Sequence, residues 1–283
     1  ADGLRGRERL FDGAMQVRRR GRGRHRPAAR SGEPPGGEES VYLYGHHAIE
    51  AWIDARPQRI HTLYCESRTT DAARRLVERA RAAGIAVHAA APDQIAARAP
   101  GKRHQGLVAA CSPFPYAAID DLLATRSRLL VVVDQLQDPH NLGAIMRSAE
   151  AVGAGGLIMP KDHCVDVTPV VETAAAGASA WLPVARVTNL VRAVDSLKAA
   201  GYWIAGLAAR AEQDLFDFEP PSRTALVVGG EAGMRPLLGR QLDFAIGIPM
   251  RGHSESLNAS VAAAVAMFVL FGRRDSDAEA ADD

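Results

Sequence analysis

The sequence has no apolar run approaching the roughly 18 residues that a membrane-spanning helix requires. Its Arg-rich opening stretch has no apolar segment behind it, so no secretory signal is expected there. Cysteine is scarce. Cys65, Cys111 and Cys164 are the only three, widely spaced and without a CxxC pair. An odd, scattered set argues against a disulfide framework and against structural zinc. These absences point to a reduced, cytoplasmic protein. GxSxG is missing, and neither Cys111 nor Cys164 has an evident His partner in the sequence, which leaves nucleophilic hydrolase chemistry without support. No GxGxxG follows an early strand with an acid about 20 residues later, which disfavours a Rossmann-type cofactor site. GAGG at 153–156 follows a helical pattern, the wrong context. His46 and His47 are adjacent and poorly placed to share one metal from a helix, so no metal site is expected.

What is present is an ordinary globular composition, 47% hydrophobic and 24% charged over 283 residues. That length suits one or two domains. The net charge is only +1, but it is unevenly spread. Residues 1–40 hold ten Arg against six acids, and residues 41–130 hold twelve basic against eight acidic residues. Residues 131–271 reverse the balance, ten against fourteen, and 272–283 hold two against five. A basic front half joined to a mildly acidic back half suits a polyanion-gripping module attached to a catalytic one, and suits a plain solvated basic surface equally.

Residues 1–40, with RRRGRGRHRPAAR and SGEPPGGEES, are too poor in apolar surface to offset ordering entropy and are expected to be disordered. From 41 the pattern alternates between strand and helix. VYLY is a strand and HHAIEAWIDA a helix. RIHTLYCES is an alternating strand, DAARRLVERARAAG a helix ending at Gly84, and IAVHAA a strand. PDQIAARA is a short helix, Gly101–Gly106 a connecting turn and GLVAAC a strand. This alternation predicts a small layered α/β domain over 41–113, followed by a Pro-containing linker with a short helix over 114–127. Residues 129–133, LLVVV, are a continuous β-branched run of the kind buried on both faces of a parallel sheet. Further alternation to residue 271 predicts a second α/β domain over 128–271, with an acidic tail over 272–283.

Three stretches carry more polar detail than folding needs, and each follows a predicted strand, where α/β proteins bind ligands. DQLQDPHNLGAIMRSAEAVGAGG (134–156) has a polar loop and then a helix from about Asn141, which is read as its cap. Leu142, Ile145, Met146, Ala149 and Val152 form the buried stripe of that helix, and Arg147 lies off it. A capping Asn and a solvated Arg would account for this segment alone. TALVVGGEAGM (224–234) runs from a strand into Gly229, Gly230 and Glu231, where glycines permit close backbone approach. FAIGIPMRGHSESLNASVAAAVAMF (244–268) ends its strand at Pro249 and opens a helix at Ser254, Glu255, Ser256, Leu257, Asn258 and Ser260. That start is richer in polar groups than capping requires, and free N–H groups there suit a polar ligand.

NLGAIMRSAEAVGA, LVVGGEAGM and IPMRGHSESLNASVA resemble, in order, the three signature motifs of the SpoU/TrmH methyltransferases. MPKD at 159–162 and the helix around Val170–Gly177 are also similar. GHHAIEA and HQGLVA within 41–113 resemble the family's N-terminal RNA-binding domain, which is like kink-turn-binding ribosomal proteins. The second motif reads Glu231-Ala232-Gly233-Met234, one residue shorter than in many relatives. The resemblance covers about 41–271.

The resemblance implies a SPOUT fold, a parallel sheet whose C-terminal segment threads a deep trefoil knot, a topology that general folding rules would not suggest. It implies a homodimer through the methyltransferase domain, with S-adenosylmethionine bound at the interface. Gly229, Ile248 and Leu257 would line the cofactor pocket, and Asn141, Arg147, Glu231, Ser256 and Asn258 would form the reaction site. The reaction implied is 2′-O-methylation of an RNA ribose, first of all a guanosine in large-subunit ribosomal RNA, free or in a pre-ribosomal particle. A tRNA or antibiotic-resistance methyltransferase is the alternative within the family, and a catalytically silent RNA-binding scaffold the alternative outside it. The usual family candidate for handling the hydroxyl proton is Arg147, although a guanidinium stays protonated in proteins and is better suited to stabilising alkoxide charge.

Overall fold

The computed structural model describes residues 40–67, 70–100, 104–209 and 211–272. The segment expected to be disordered over 1–40 and the acidic tail over 272–283 lie outside the described residues, Ser40 and Gly272 apart. Residues 101–103 of the expected connecting turn lie outside them as well.

The front of the chain folds as β1 (Val41–Tyr44), α1 (His46–Ala55), β2 (Ile60–Glu66), α2 (Asp71–Ala82), β3 (Ala86–Ala90), α3 (Pro92–Arg98) and β4 (Leu107–Cys111). The sheet order is β1-β4-β2-β3, with β4 antiparallel to both neighbours and β2 parallel to β3. Helices cover both faces. Leu43, Leu63, Leu107 and Ala109 pack against Ile49 and Trp52 of α1 and Leu76 of α2, while Tyr44, Tyr64 and Val108 meet Ile95 of α3. That two-sided cover is why β2, expected to alternate, instead buries Thr62, Leu63 and Tyr64 in succession. α2 starts where Thr70 accepts the Ala73 N–H at 3.2 Å and stops before Gly84, whose φ is +78°.

After α4 (Ile119–Ala124) the chain builds β5 (Leu129–Asp134), α5 (Pro139–Ala151), β6 (Leu157–Pro160), α6 (Pro169–Ala174), β7 (Val184–Val187), α7 (Leu190–Ala199) and β8 (Trp203–Leu207). It continues with β9 (Gln213–Asp214), β10 (Thr224–Gly229), α8 (Pro236–Gly239), β11 (Phe244–Gly247) and α9 (Ala259–Phe271). The seven strands form one parallel sheet in the order β7-β6-β5-β10-β8-β11-β9. Every residue of β5 is buried, as the LLVVV run predicts. Strand alternation sends Leu129, Val131 and Val133 to the face covered by α5 and α9, and Leu130 and Val132 to the face covered by α7. Chain order runs outward from β5 through β6 to β7, then crosses to β8 on the far side. β10 later fills the place between β5 and β8. The strand order therefore reverses beside β5, which opens a crevice at the carboxyl ends of the strands.

Two helices begin elsewhere than the sequence suggests. α5 starts at Pro139, and its cap is Asp138, whose carboxylate accepts the His140 N–H at 2.8 Å. Proline at the first helical position, with φ preset and no N–H to satisfy, fixes that start. Asn141 therefore sits inside the first turn, buried, with its amide free for other partners. α9 starts only at Ala259, and residues 254–257, expected in its first turn, are exposed loop. β9 and α8, of two and four residues, are too short to leave a sequence pattern and were not foreseen.

The segment 114–127 holds the expected short helix, but its start is built into the protein. Phe114 packs edge-on against Trp52 and against Tyr116, and Ala117 pairs with Ala185 beside β7. A buried polar contact ties the two sheets together. Glu172 of α6, 1% exposed, accepts hydrogen bonds from Trp52 Nε1 at 2.7 Å and from both terminal nitrogens of Arg59 at 2.6 and 2.8 Å. The Arg59 guanidinium also lies over the Trp52 ring at 4.1 Å. Ion pairs this dry owe little to net attraction, because desolvation opposes it; removing one partner leaves a buried charge stranded. Glu172→Ala is expected to lower unfolding free energy by about 3–5 kcal/mol in urea titration. A loss below about 1 kcal/mol, the range of exposed pairs, would show that the contact does not hold the two parts together.

Candidate active site

The carboxyl ends of β8, β10 and β11 and the loop entering α9 enclose a pocket of about 590 Å³. Volumes of this order accommodate a cofactor-sized ligand. Its wall is apolar at Leu207, Val228, Ile246 and Ile248, and backbone-rich at Gly229, Gly230 and Gly233. Among the described residues its charged lining side chains are Glu231 and Glu255.

The turn after β10 is folded tightly back on itself. Gly233 N–H donates to Gly230 O at 2.9 Å, and Gly230 N–H donates to Asp134 O at 2.8 Å. Asp134, at the end of β5 and 0% exposed, holds Arg235 through its N–H at 2.9 Å, Nε at 2.8 Å and a terminal nitrogen at 2.7 Å. A fully buried carboxylate requires such partners. Gln135 Nε2 donates to Gly233 O at 3.2 Å and closes the turn from the β5 side. The approach is so close that a Cβ on Gly230 would lie 2.1 Å from Gln135 O, and one on Gly229 would lie 2.5 Å from the Gly233 carbonyl carbon.

This turn delivers Glu231 to Asn141, whose Nδ2 donates to Glu231 Oε1 at 2.8 Å, despite the shortened second motif. Asn258, the cap of α9, donates from Nδ2 to Asn141 Oδ1 at 3.0 Å. Residues 141, 231 and 258, one from each motif, thus meet in one hydrogen-bonded chain. Gly229, Ile248, Ser256 and Leu257 stand on the pocket wall together with Glu231 and Asn258. Arg147 is apart: it is exposed on α5, six residues or about 9 Å along the axis from Asn141, and is not a pocket-lining residue. Among the described residues it makes no hydrogen bond or ion pair.

Sequence reasoning missed Asp134, Gln135 and Arg235, which shape the turn, and the end of β8 at 207–209, which closes the pocket. One signal was there to be read: an acid ending a fully apolar strand must find a partner. Ser260, named only as part of a polar helix start, contacts both Asn141 and Asn258. Cys111 and Cys164 are poorly placed as nucleophiles. Burial pushes the Cys111 thiol up to about 12 and the Cys164 thiol up to about 11, so both stay protonated at neutral pH.

Gly230→Ala is expected to weaken S-adenosylmethionine binding at least about tenfold by calorimetry, roughly 1.4 kcal/mol, since its methyl collides with backbone that cannot yield. Gly233→Ala meets nothing within 4 Å and carries only the strain of φ +80°, so it should cost stability more than affinity. Equal affinity in wild type and Gly230→Ala would remove this turn from the ligand site.

The molecule was compared with known proteins. Residues 128–268 match the SpoU rRNA Methylase family, and residues 42–117 match the RNA 2′-O ribose methyltransferase substrate binding domain. The 23S rRNA (guanosine-2′-O-)-methyltransferase RlmB of Coxiella burnetii is 40% identical over 243 residues, spanning 83% of this chain and 97% of that protein. Among solved structures, the SpoU methyltransferase AviRb from Streptomyces viridochromogenes in complex with AdoMet superposes with a TM-score of 0.69 at 28% identity, over 81% of this chain and 88% of that one. An AdoMet-bound rRNA methyltransferase from Sinorhizobium meliloti shares the fold, with a TM-score of 0.67 at 23% identity over 81% of this chain and 86% of that one. With one residue of each motif joined in a hydrogen-bonded chain and a relative matched along nearly its whole length, this chain belongs to the SpoU rRNA methylase family.

Proposed function

We propose that the protein transfers a methyl group from S-adenosylmethionine to the 2′-hydroxyl of a ribose, a guanosine in 23S ribosomal RNA. The observation that carries this reading is the pocket, a backbone-lined cavity on whose wall Glu231 and Asn258 both bond to Asn141, and whose charged lining among the described residues is Glu231 and Glu255. Glycine backbone and apolar side chains suit an adenosine, and the Glu231 and Glu255 carboxylates suit a sulfonium. When bound, the cofactor supplies an already activated methyl group. Gly229, Ile248 and Leu257 would hold it, largely through backbone groups and apolar contact.

The chain's own residues would then do two things. They would fix the ribose hydroxyl in line with the methyl, a proximity contribution that reaches roughly 7–11 kcal/mol in well-oriented reactions. They would also manage the hydroxyl proton and the charge left on oxygen. Glu231, Ser256 and Asn258 would position the ribose. Arg147, exposed and free of partners among the described residues, would meet RNA and stabilise developing alkoxide charge.

The domain over 41–113 would grip RNA by shape and phosphate and present the target from an unpaired loop. A homodimer through the methyltransferase domain belongs to the proposal. It is supported by the apolar stripe that α9 leaves uncovered, with Val261 48% and Phe268 49% exposed one heptad apart, and by Met250 and Leu257 lying open at the pocket. The family's knotted threading is taken with it, in keeping with the position of β10 between β5 and β8. No helix among the described residues is long and apolar enough to cross a membrane, and we place the protein in the cytoplasm with its RNA.

Transfer of radiolabelled methyl to unmodified large-subunit ribosomal RNA, with nucleotide mapping, tests the reading. One labelled 2′-O-methyl guanosine is the expected product. Label in tRNA alone would overturn the substrate, and absence of cofactor binding would overturn the activity. Arg147→Ala should lower turnover by about 100-fold or more with cofactor affinity unchanged. Near-normal turnover in Arg147→Lys would exclude any role that needs the guanidinium.

A further inference from the structure

The two asparagines of the site have one consistent polarity, and it originates at the end of α9. The first N–H groups of a helix have no acceptor within it. Asn258 Oδ1 takes those of Ser260 at 2.9 Å and Val261 at 3.4 Å, and the Ser260 hydroxyl lies 2.6 Å from the same oxygen. With its oxygen occupied by donors, the Asn258 amide must turn its Nδ2 the other way, onto Asn141 Oδ1. That oxygen also lies 3.3 Å from Ser260 Oγ. Asn141 is thereby left to donate through Nδ2, and it does so to Glu231 Oε1. Inverting either amide would set donor against donor or oxygen against oxygen. Glu231 is thus held by one oxygen, while its Oε2 makes no hydrogen bond among the described residues and the side chain lines the pocket.

We infer that Ser260 is a positioning residue for the methyl-transfer reaction. Its one hydroxyl proton goes to Asn258 Oδ1, the nearer of the two amide oxygens, and with the α9 N-terminus fixes the Asn258 amide, through which Asn141 is set in the one arrangement that presents Glu231 to the ribose as an acceptor. Ser260 does not itself line the pocket, so it acts only through the two asparagines. This inference rests on the role proposed above for Glu231. Within the chain of contacts, Asn141 is the anchor and Asn258 the link, and Glu231 is the group that faces substrate.

Ser260→Ala keeps the backbone N–H donors of the cap and removes only the hydroxyl. It is expected to lower kcat about three- to tenfold, the worth of one neutral hydrogen bond, with cofactor affinity and Tm unchanged. Ser260→Thr, which restores a hydroxyl, should recover most of the loss. Side-chain amide resonances of ¹⁵N-labelled asparagine provide a readout independent of turnover: one sharp pair each for Asn141 and Asn258 in the wild type, and broadened or doubled pairs in Ser260→Ala. Unchanged kcat together with unchanged resonances would overturn the inference. So would a joint fall in kcat, affinity and Tm that threonine does not rescue, which marks a merely structural serine. An inactive wild type with the resonance change intact would sink the proposed reaction while leaving the amide lock standing.

Discussion

The parallel pairing of β10 with both β5 and β8 is the constraint on which the site depends. On the β5 side it joins segments almost a hundred residues apart, Val131 to Leu226, and on the β8 side it pairs Leu226 with the much nearer Ala205. Because β10 enters between strands laid down earlier, its terminal glycines emerge directly beside the end of β5. Asp134 can then seize Arg235, and Gln135 can close on Gly233. The contact between Glu231 and Asn141 follows from that arrangement. Glu231 reaches Asn141 because the turn is pinned from below, and Asn258 reaches Asn141 because α9 packs along α5 on the same face.

The junction between the two sheets rests on different physics. Glu172, Arg59 and Trp52 form a dry, fully hydrogen-bonded cluster, and Thr173 Oγ1 adds a bond to Tyr44 O at 2.8 Å. Ala180, from the turn after α6, packs within the core of the front sheet. These contacts give the front domain a fixed seat on the catalytic one. On the function proposed above, such a seat would hold the part that grips RNA in fixed relation to the part that takes the ribose.

Much of this was legible in the sequence, and the reasons differ by element. The run LLVVV could only be a strand covered on both faces, and it is. The motif residues Asn141, Glu231 and Asn258 were readable as a site through the resemblance of three segments, in order, to the SpoU/TrmH motifs, since a capping Asn accounts for the first segment by itself. What they do to one another was not readable, because hydrogen-bond partners 90 and 117 residues away leave no local pattern. The start of α5 was placed at Asn141, whereas the structure caps the helix with Asp138. Pro139 between them decides it, and this frees Asn141 for its tertiary role. The start of α9 was read too early, because Ser254 and Ser256 offer side chains as good for capping as Asn258. Packing of the helix against α5 selects among them. The Asp134–Arg235 pair lay hidden for the same reason as the site contacts, with its members 101 residues apart.

The central claim is that three separate chain segments form one cofactor site. Hydrogen–deuterium exchange with and without S-adenosylmethionine tests it most directly. Protection should appear together, at one cofactor concentration, over 207–209, 229–234 and 248–262, the segments that meet at the pocket. The front sheet over 41–111 should be unaffected. Protection confined to one of the three segments, or centred on the front sheet, would contradict the account.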